Sequence, residues 1–193
     1  VAKRALVLGG TGMLAGCTAR LVAGGWHVVL PSRRYAPLAT DRGLGRALWV
    51  EADWSAPRAL ARRAGHVLEG PADLVIAWLD DSARLSVLRA VEPLLAPGAP
   101  VIEVYGVTDH APRPATTLPA HPTQHVVLGV VGYAGRTRWL SSAEVTAAIV
   151  DAVDRALTHR TPSVHYIGDG DSPAIPSQRE RSGVGPLSVS GRP

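Results

Sequence analysis

The residues with the clearest chemical meaning lie near the N-terminus. Gly9, Gly10, Gly12 and Gly16 cluster around Thr11, Met13 and Leu14, directly after the apolar run Ala5 to Leu8. Gly9 lets the chain turn sharply off a strand, and Gly12 leaves no side chain between the backbone and an approaching pyrophosphate. Ala15 and Gly16 are small enough for the following helix to pack closely on a sheet. The free amides of that helix's first turn, with the helix dipole behind them, then hold phosphate. Gly9, Gly10, Thr11, Gly12, Met13 and Leu14 are therefore the expected cradle of a dinucleotide. A strand-to-helix turn with no ligand uses the same glycines, so other residues must decide.

Ser32, Arg33 and Arg34 follow the next apolar run, Trp26 to Leu30. In a dinucleotide fold the adenosine ribose lands here. An acidic residue grips its 2′-hydroxyl, whereas arginine suits a 2′-phosphate. With no carboxylate among these three positions, NADP(H) is expected over NAD(H). Asp53 closes a third apolar run and can accept a hydrogen bond from the adenine amino group. Capping the next helix is an equally sound use for it. Trp54 beside it is counted with the cofactor contacts.

Groups able to move protons must come from the carboxyl ends of later strands, because ligands in open α/β sheets bind there. Tyr105 is the first candidate for proton donor. Asp80 is a candidate for orienting substrate or balancing a cationic centre, and His110 for shuttling a proton near neutral pH. A wall residue, a helix cap and a solvated loop histidine are the plain alternatives. Trp78 offers a flat wall over substrate or nicotinamide, and Arg138 with Trp139 a contact to phosphate or substrate. His121, His125 and His165 show no metal-ligand spacing, so no metal site is expected. No Gly-x-Ser-x-Gly elbow occurs, which argues against a serine hydrolase.

The elements that must position these groups alternate. Strands are expected at residues 5–8, 26–30, 47–52, 73–78, 101–105, 125–131 and 163–167. Helices are expected after the glycine turn, from Ser55 to about Glu69, from Ser82 to about Leu95, and from Ser141, where Ser141 and Glu144 make a capping box. Residues 106–124 carry four prolines and two histidines without helical period, a functional loop by its length. Residues 132–138 read as a polar loop, and 168–193 as a loosely ordered tail. The fold class is α/β, a Rossmann-like doubly wound parallel sheet, with one NADP(H)-binding domain over residues 1–167.

Composition narrows the classes further. Hydrophobic residues make up 46% of 193 and charged residues 19%, enough for one substantial core. The net charge of +4 is carried by scattered arginines without interleaved aromatics, so no nucleic-acid partner is expected. No apolar run reaches the length of a membrane span. Cys17, the single cysteine, is a small core filler and fits a reducing, cytoplasmic setting. The long helices after the fourth and sixth strands offer surfaces for a homo-oligomer.

The motif order resembles the short-chain dehydrogenase/reductase superfamily, in particular its small atypical members, over residues 3 to about 160. The turn from Gly9 through Gly12 to Ala15 is similar to the family's Gly-x-x-Gly-x-x-Gly, with Ala15 at the last position. Asp53 matches the family's acidic residue beside adenine. Ala77 lies where the family keeps a small residue beside the nicotinamide ribose. The resemblance stops at the family's Tyr-x-x-x-Lys pair, because Lys3 is the sole lysine and the segment that should carry that helix is broken by proline. It implies an NADPH-dependent reductase of a small-molecule C=O or C=N group, a ketone or imine, in specialised metabolism. The alternative from another class is a catalytically silent NADP(H)-binding sensor or regulator. A non-redox isomerase using the cofactor structurally ranks below both.

Overall fold

The computed structural model describes residues 2–35, 44–106, 116–133, 135–158 and 161–169. In chain order the elements are β1 (Arg4–Leu8), α1 (Ala15–Ala23), β2 (His27–Ser32), β3 (Arg46–Glu51), α2 (Pro57–Leu68), β4 (Leu74–Trp78) and α3 (Asp81–Val91). They continue with β5 (Val101–Gly106), β6 (Thr123–Leu128), β7 (Val130–Tyr133), β8 (Arg136–Trp139), α4 (Ser142–Thr158) and β9 (Ser163–Ile167). Seven strands form one parallel sheet in the order β3-β2-β1-β4-β5-β6-β9. The central strands are apolar on both faces, as strands covered by helices on each side must be.

Two apolar clusters flank the sheet. On one face, Cys17, Leu21 and Val22 of α1 and Val145, Ile149 and Val153 of α4 pack with Val7, Val28, Ile76, Ile102 and Val126. On the other, Leu60, Ala64 and Leu68 of α2 and Val87, Leu88 and Val91 of α3 pack with Leu6, Leu8, Val29, Val75 and Val101. Each fully buried aliphatic side chain contributes about 1.5–3 kcal/mol of transfer free energy. Gly16 serves a different neighbour from the sheet. A Cβ there would lie 2.2 Å from Thr146 Oγ1, so this glycine sets how closely α1 approaches α4.

The helix ends follow the sequence in part. At the start of α4, Ser141 N–H donates to Glu144 Oε2 at 2.8 Å and Glu144 N–H to Ser141 Oγ at 3.3 Å, the expected reciprocal cap. Pro57 occupies the first turn of α2, but Ala56 is its N-cap and neither Asp53 nor Ser55 caps it with a side chain. Glu69 ends that helix in the left-handed region at φ 56°, and Gly70 follows. Helix α3 stops at Val91 and tightens into a 3₁₀ turn, Glu92–Leu94, with Pro93 inside it.

One expectation is corrected. The sixth strand does not run on to residue 131, and 132–138 is not a free loop. The chain leaves the sheet at Gly129, and β7 pairs antiparallel with β8 in a separate hairpin. Asp169 ties this hairpin back: its amide donates to the Val130 carbonyl, and its Oδ2 accepts from Gly132 N–H at 2.6 Å. Residues 36–43 and 107–115 and most of the expected tail lie outside the described residues. No described helix is long and apolar enough to cross a membrane.

The strand order reverses between β1 and β4, and their register, Leu8 opposite Ala77, brings Gly9 beside Trp78. Gly9 has φ +81°, and a Cβ there would sit 2.6 Å from the Trp78 carbonyl oxygen. Backbone strain and a backbone clash coincide at this point. Gly9→Ala is therefore expected to lower stability by at least about 2 kcal/mol, measured by urea unfolding. An unchanged unfolding midpoint would show that the close approach is not a constraint.

Candidate functional site

The glycine turn stands at the carboxyl end of β1, next to the point of strand reversal. Gly10 is packed inward: a Cβ would meet Leu30 at 2.6 Å and Val7 at 2.9 Å. Gly12 is the opposite case, with nothing within 4 Å of a Cβ. The first helical bonds are Ala15 N–H to the Gly12 carbonyl and Thr18 N–H to the Leu14 carbonyl, both close to 3 Å. The amides of Thr11 to Leu14 meet no backbone carbonyl among the described residues. A turn whose glycines close on the sheet and whose outer amides stay open fits a pyrophosphate.

A second contact ties the turn to the end of β2. Thr11 Oγ1 lies 2.5 Å from Ser32 Oγ, and both hydroxyls also reach the Arg34 carbonyl, at 3.1 and 3.0 Å. This clasp binds the glycine turn to the end of β2. It leaves Arg33 and Arg34 exposed beside the cradle. Asp53, at the end of β3, is exposed, and its Oδ1 accepts from Ser55 N–H at 2.9 Å and Ser55 Oγ at 2.6 Å. Those bonds hold its carboxyl below the ordinary range.

The remaining cradle candidates divide by burial. Met13 is exposed, whereas Leu14 is fully buried in the α1/α4 core. Ala77 is fully buried against α2 and α3, so only its backbone is at the strand end. Trp54 packs partly buried on the same side. Trp78 packs on the α1/α4 side, and its ring edge is 3.9 Å from where a Gly106 Cβ would stand. It forms the wall between the ends of β4 and β5.

The structure surrounds Tyr105 with groups that the spacing of motifs did not single out. Its hydroxyl donates to Glu103 Oε2 at 2.8 Å. Glu103 is fully buried, and also accepts from Thr117 Oγ1 at 2.9 Å and Thr117 N–H at 3.3 Å. Arg84, itself buried, stands 3.7 Å from Glu103 Oε2, and its Cζ is 3.9 Å from the Tyr105 ring centroid. Arg84 Nη2 donates to the carbonyls of Leu79 at 2.7 Å and Val104 at 3.2 Å. Burial first, and then the Glu103 carboxylate, holds the Tyr105 phenol well above the ordinary tyrosine range; Arg84 opposes them. The Tyr105 proton is thus committed to Glu103. The signal for this cluster was present. Glu103 interrupts an apolar strand, and Arg84 takes the first slot of the face Arg84, Val87, Leu88, Val91.

The other candidates make the following contacts. Asp80 is the N-cap of α3 through its backbone, its carbonyl accepting from Ala83 and Arg84, and its side chain makes no capping bond. Arg138 makes a two-pronged ion pair with Glu144, both bonds 2.8 Å, which is the surface salt bridge alternative. His121 Nδ1 bonds the Ala99 carbonyl at 2.9 Å. His165 Nε2 joins Ser163 Oγ and Gln124 Oε1 at 2.7 and 2.9 Å. Since Ser163 Oγ also donates to Gln124, its proton is taken and the serine is not activated. His110 lies outside the described residues.

Three buried groups yield measurable expectations. Burial, with Asp154 adding to it, pushes the Cys17 thiol up to about 12. Cys17 should react with a disulfide reagent only as fast as the protein unfolds; rapid labelling of folded protein would contradict its buried placement. Burial is also the main cause that holds His27 and His125 below the ordinary histidine range. Below the unfolded value of about 6.5 the unfolded chain binds more protons, so stability falls as pH drops through it. Urea unfolding on either side of that pH measures the slope, and His125→Gln should reduce it.

No protein-family profile matches the sequence. No curated protein matches it either. Solved structures do match in shape. An NADH-dependent reductase, A1-R′, crystallised with NAD, is 16% identical at a TM-score of 0.66, covering 89% of this chain and 98% of its own. A glucose/ribitol dehydrogenase of the short-chain type from Brucella melitensis is 11% identical at 0.61, over 89% and 97%. A short-chain dehydrogenase/reductase from Serratia marcescens is 15% identical at 0.56, over 86% and 97%. With seven parallel strands between paired helices and a glycine turn at the strand reversal, the chain has the Rossmann-like fold of these short-chain dehydrogenase/reductases.

Proposed function

We propose that this protein is an oxidoreductase of the short-chain dehydrogenase/reductase type that binds NADP(H) and reduces a small-molecule C=O or C=N group. The observation that carries the reading is the clasp between Thr11 and Ser32, which holds Arg33 and Arg34 beside an open glycine cradle. Outer amides of the turn would bind the pyrophosphate, the Arg33 and Arg34 guanidinium groups a 2′-phosphate, and Asp53 the adenine edge. When bound, a reduced nicotinamide supplies hydride; the protein supplies orientation and shields the site from water. Trp78 and Tyr105 are the chain's own groups at the ends of β4 and β5, where a substrate would lie.

The engagement of Tyr105 with Glu103 favours a second reading, a catalytically silent NADP(H)-binding sensor. A phenol whose proton is already given to a carboxylate is poorly placed to protonate an alkoxide. Turnover separates the two readings. NADPH oxidation across panels of ketones and cyclic imines is expected to reveal a substrate, whereas tight NADPH binding with no turnover would support the sensor. A narrower expectation concerns the phosphate. Arg33→Ala should weaken NADPH by about tenfold and NADH far less, read by cofactor fluorescence. Equal loss for both would remove the argument for a 2′-phosphate, and failure to bind either dinucleotide would overturn the proposal.

A further inference from the structure

The hydrogen-bond polarity around Tyr105 bears on which of the two substrate classes the site accepts. Its hydroxyl has one proton, and Glu103 Oε2 receives it at 2.8 Å. Thr117 donates to Glu103 as well, through its amide and its hydroxyl, and the Arg84 guanidinium faces it as an ion-pair partner at 3.7 Å, without a hydrogen bond. With Thr117 and Tyr105 both donating to Glu103, the Tyr105 proton is directed at the carboxyl group. Tyr105 is half-buried, and its oxygen has lone pairs only for any further partner. A carbonyl oxygen also brings only lone pairs and gains nothing there. A protonated imine brings an N–H donor and a positive charge.

From this polarity we propose that Tyr105 contacts substrate as a hydrogen-bond acceptor, and that the site takes a cationic nitrogen compound, an iminium, rather than a ketone. The contact rests on the hydrogen-bond geometry; the reaction rests on the reductase reading above. Local charge agrees. Among the described residues, Glu103 and the exposed Asp80 and Asp81 at the start of α3 outnumber Arg84, whose Nε also lies 3.6 Å from Asp81 Oδ1. His125 on β6, 5.8 Å from Tyr105 between ring centroids, is held below the ordinary histidine range by burial. The balance of the step fits the missing acid. Hydride adds to the iminium carbon as the reduced dinucleotide is oxidised, the C=N π pair becomes the nitrogen lone pair, and the nitrogen keeps its hydrogen. No proton has to leave the protein, so the Tyr105–Glu103 bond is undisturbed.

The test is binding, in the absence of dinucleotide, of two probes of equal ring size: pyrrolidine, cationic at neutral pH, and cyclopentanone. Isothermal titration is expected to show pyrrolidinium binding about tenfold more tightly than cyclopentanone. Tyr105→Phe should bring the cation down to the ketone's level and leave the ketone unchanged. On unmodified protein, the tyrosine difference absorption should respond to pyrrolidinium and not to cyclopentanone, which keeps the test independent of whether the variant folds. Equal or tighter binding of cyclopentanone, or a cation preference that survives in a folded Tyr105→Phe, would overturn the proposal. NADPH binding measured alongside separates the two claims. Binding of NADPH without a cation preference overturns this contact and leaves the reductase reading standing. A cation preference without NADPH binding supports the contact and overturns the reductase reading.

Discussion

Everything at the candidate site depends on how closely β1 lies against β4. Four consecutive pairs, from Ala5 with Leu74 to Leu8 with Ala77, run in register until the chain reaches Gly9. There the Trp78 carbonyl stands where any side chain on Gly9 would begin. Because the residue lacks a Cβ, the two strand ends stay in contact, and the chain can turn at positive φ into the residues before α1, whose amides meet no described carbonyl. The cradle is thus a consequence of sheet pairing carried one residue further than a larger residue allows. Gly10 continues the fit by closing on Val7 and Leu30, and only at Gly12 does the turn open to solvent.

The second organising interaction is electrostatic. Glu103 sits within a parallel strand with no exposure, where an unpaired carboxylate would be costly. Arg84 from α3, Thr117 from the segment before β6 and Tyr105 from the same strand converge on it. Removing one member of such a buried pair costs about 3–5 kcal/mol, because the other is left uncompensated. The cluster therefore does two things at once. It holds residue 117 against the sheet where the sequence has no helix to offer, and it fixes the direction of the Tyr105 hydroxyl.

Much of the scaffold was legible because parallel strands buried on both faces read as continuous apolar runs, and glycine and proline punctuate them. The strands around Ala5 to Leu8 and Leu74 to Trp78 and the capping box at Ser141 follow directly from that code. The hairpin did not follow, because Arg136 to Trp139 is entirely exposed and carries no apolar alternation. Within the site, Ser32 and Thr11 were visible as types, but their mutual contact is tertiary and has no local signature. Arg84 and Glu103 were readable only as violations, charges in apolar slots whose partners lie 19 positions apart in sequence. A rule that every charge in a buried slot must have a partner would have paired them.

The contact between Gly16 and Thr146 has a mechanical meaning. A side chain on Gly16 has no room, so α1 and α4 are pressed together near their first turns. Helix α1 begins just past the open amides; α4 begins just past the hairpin, which Glu144 grips through Arg138. The two helices act as a pair of stiff struts pinned at one crossing. The glycine turn and the root of the hairpin are thus set against one helix pair, on either side of the strand reversal.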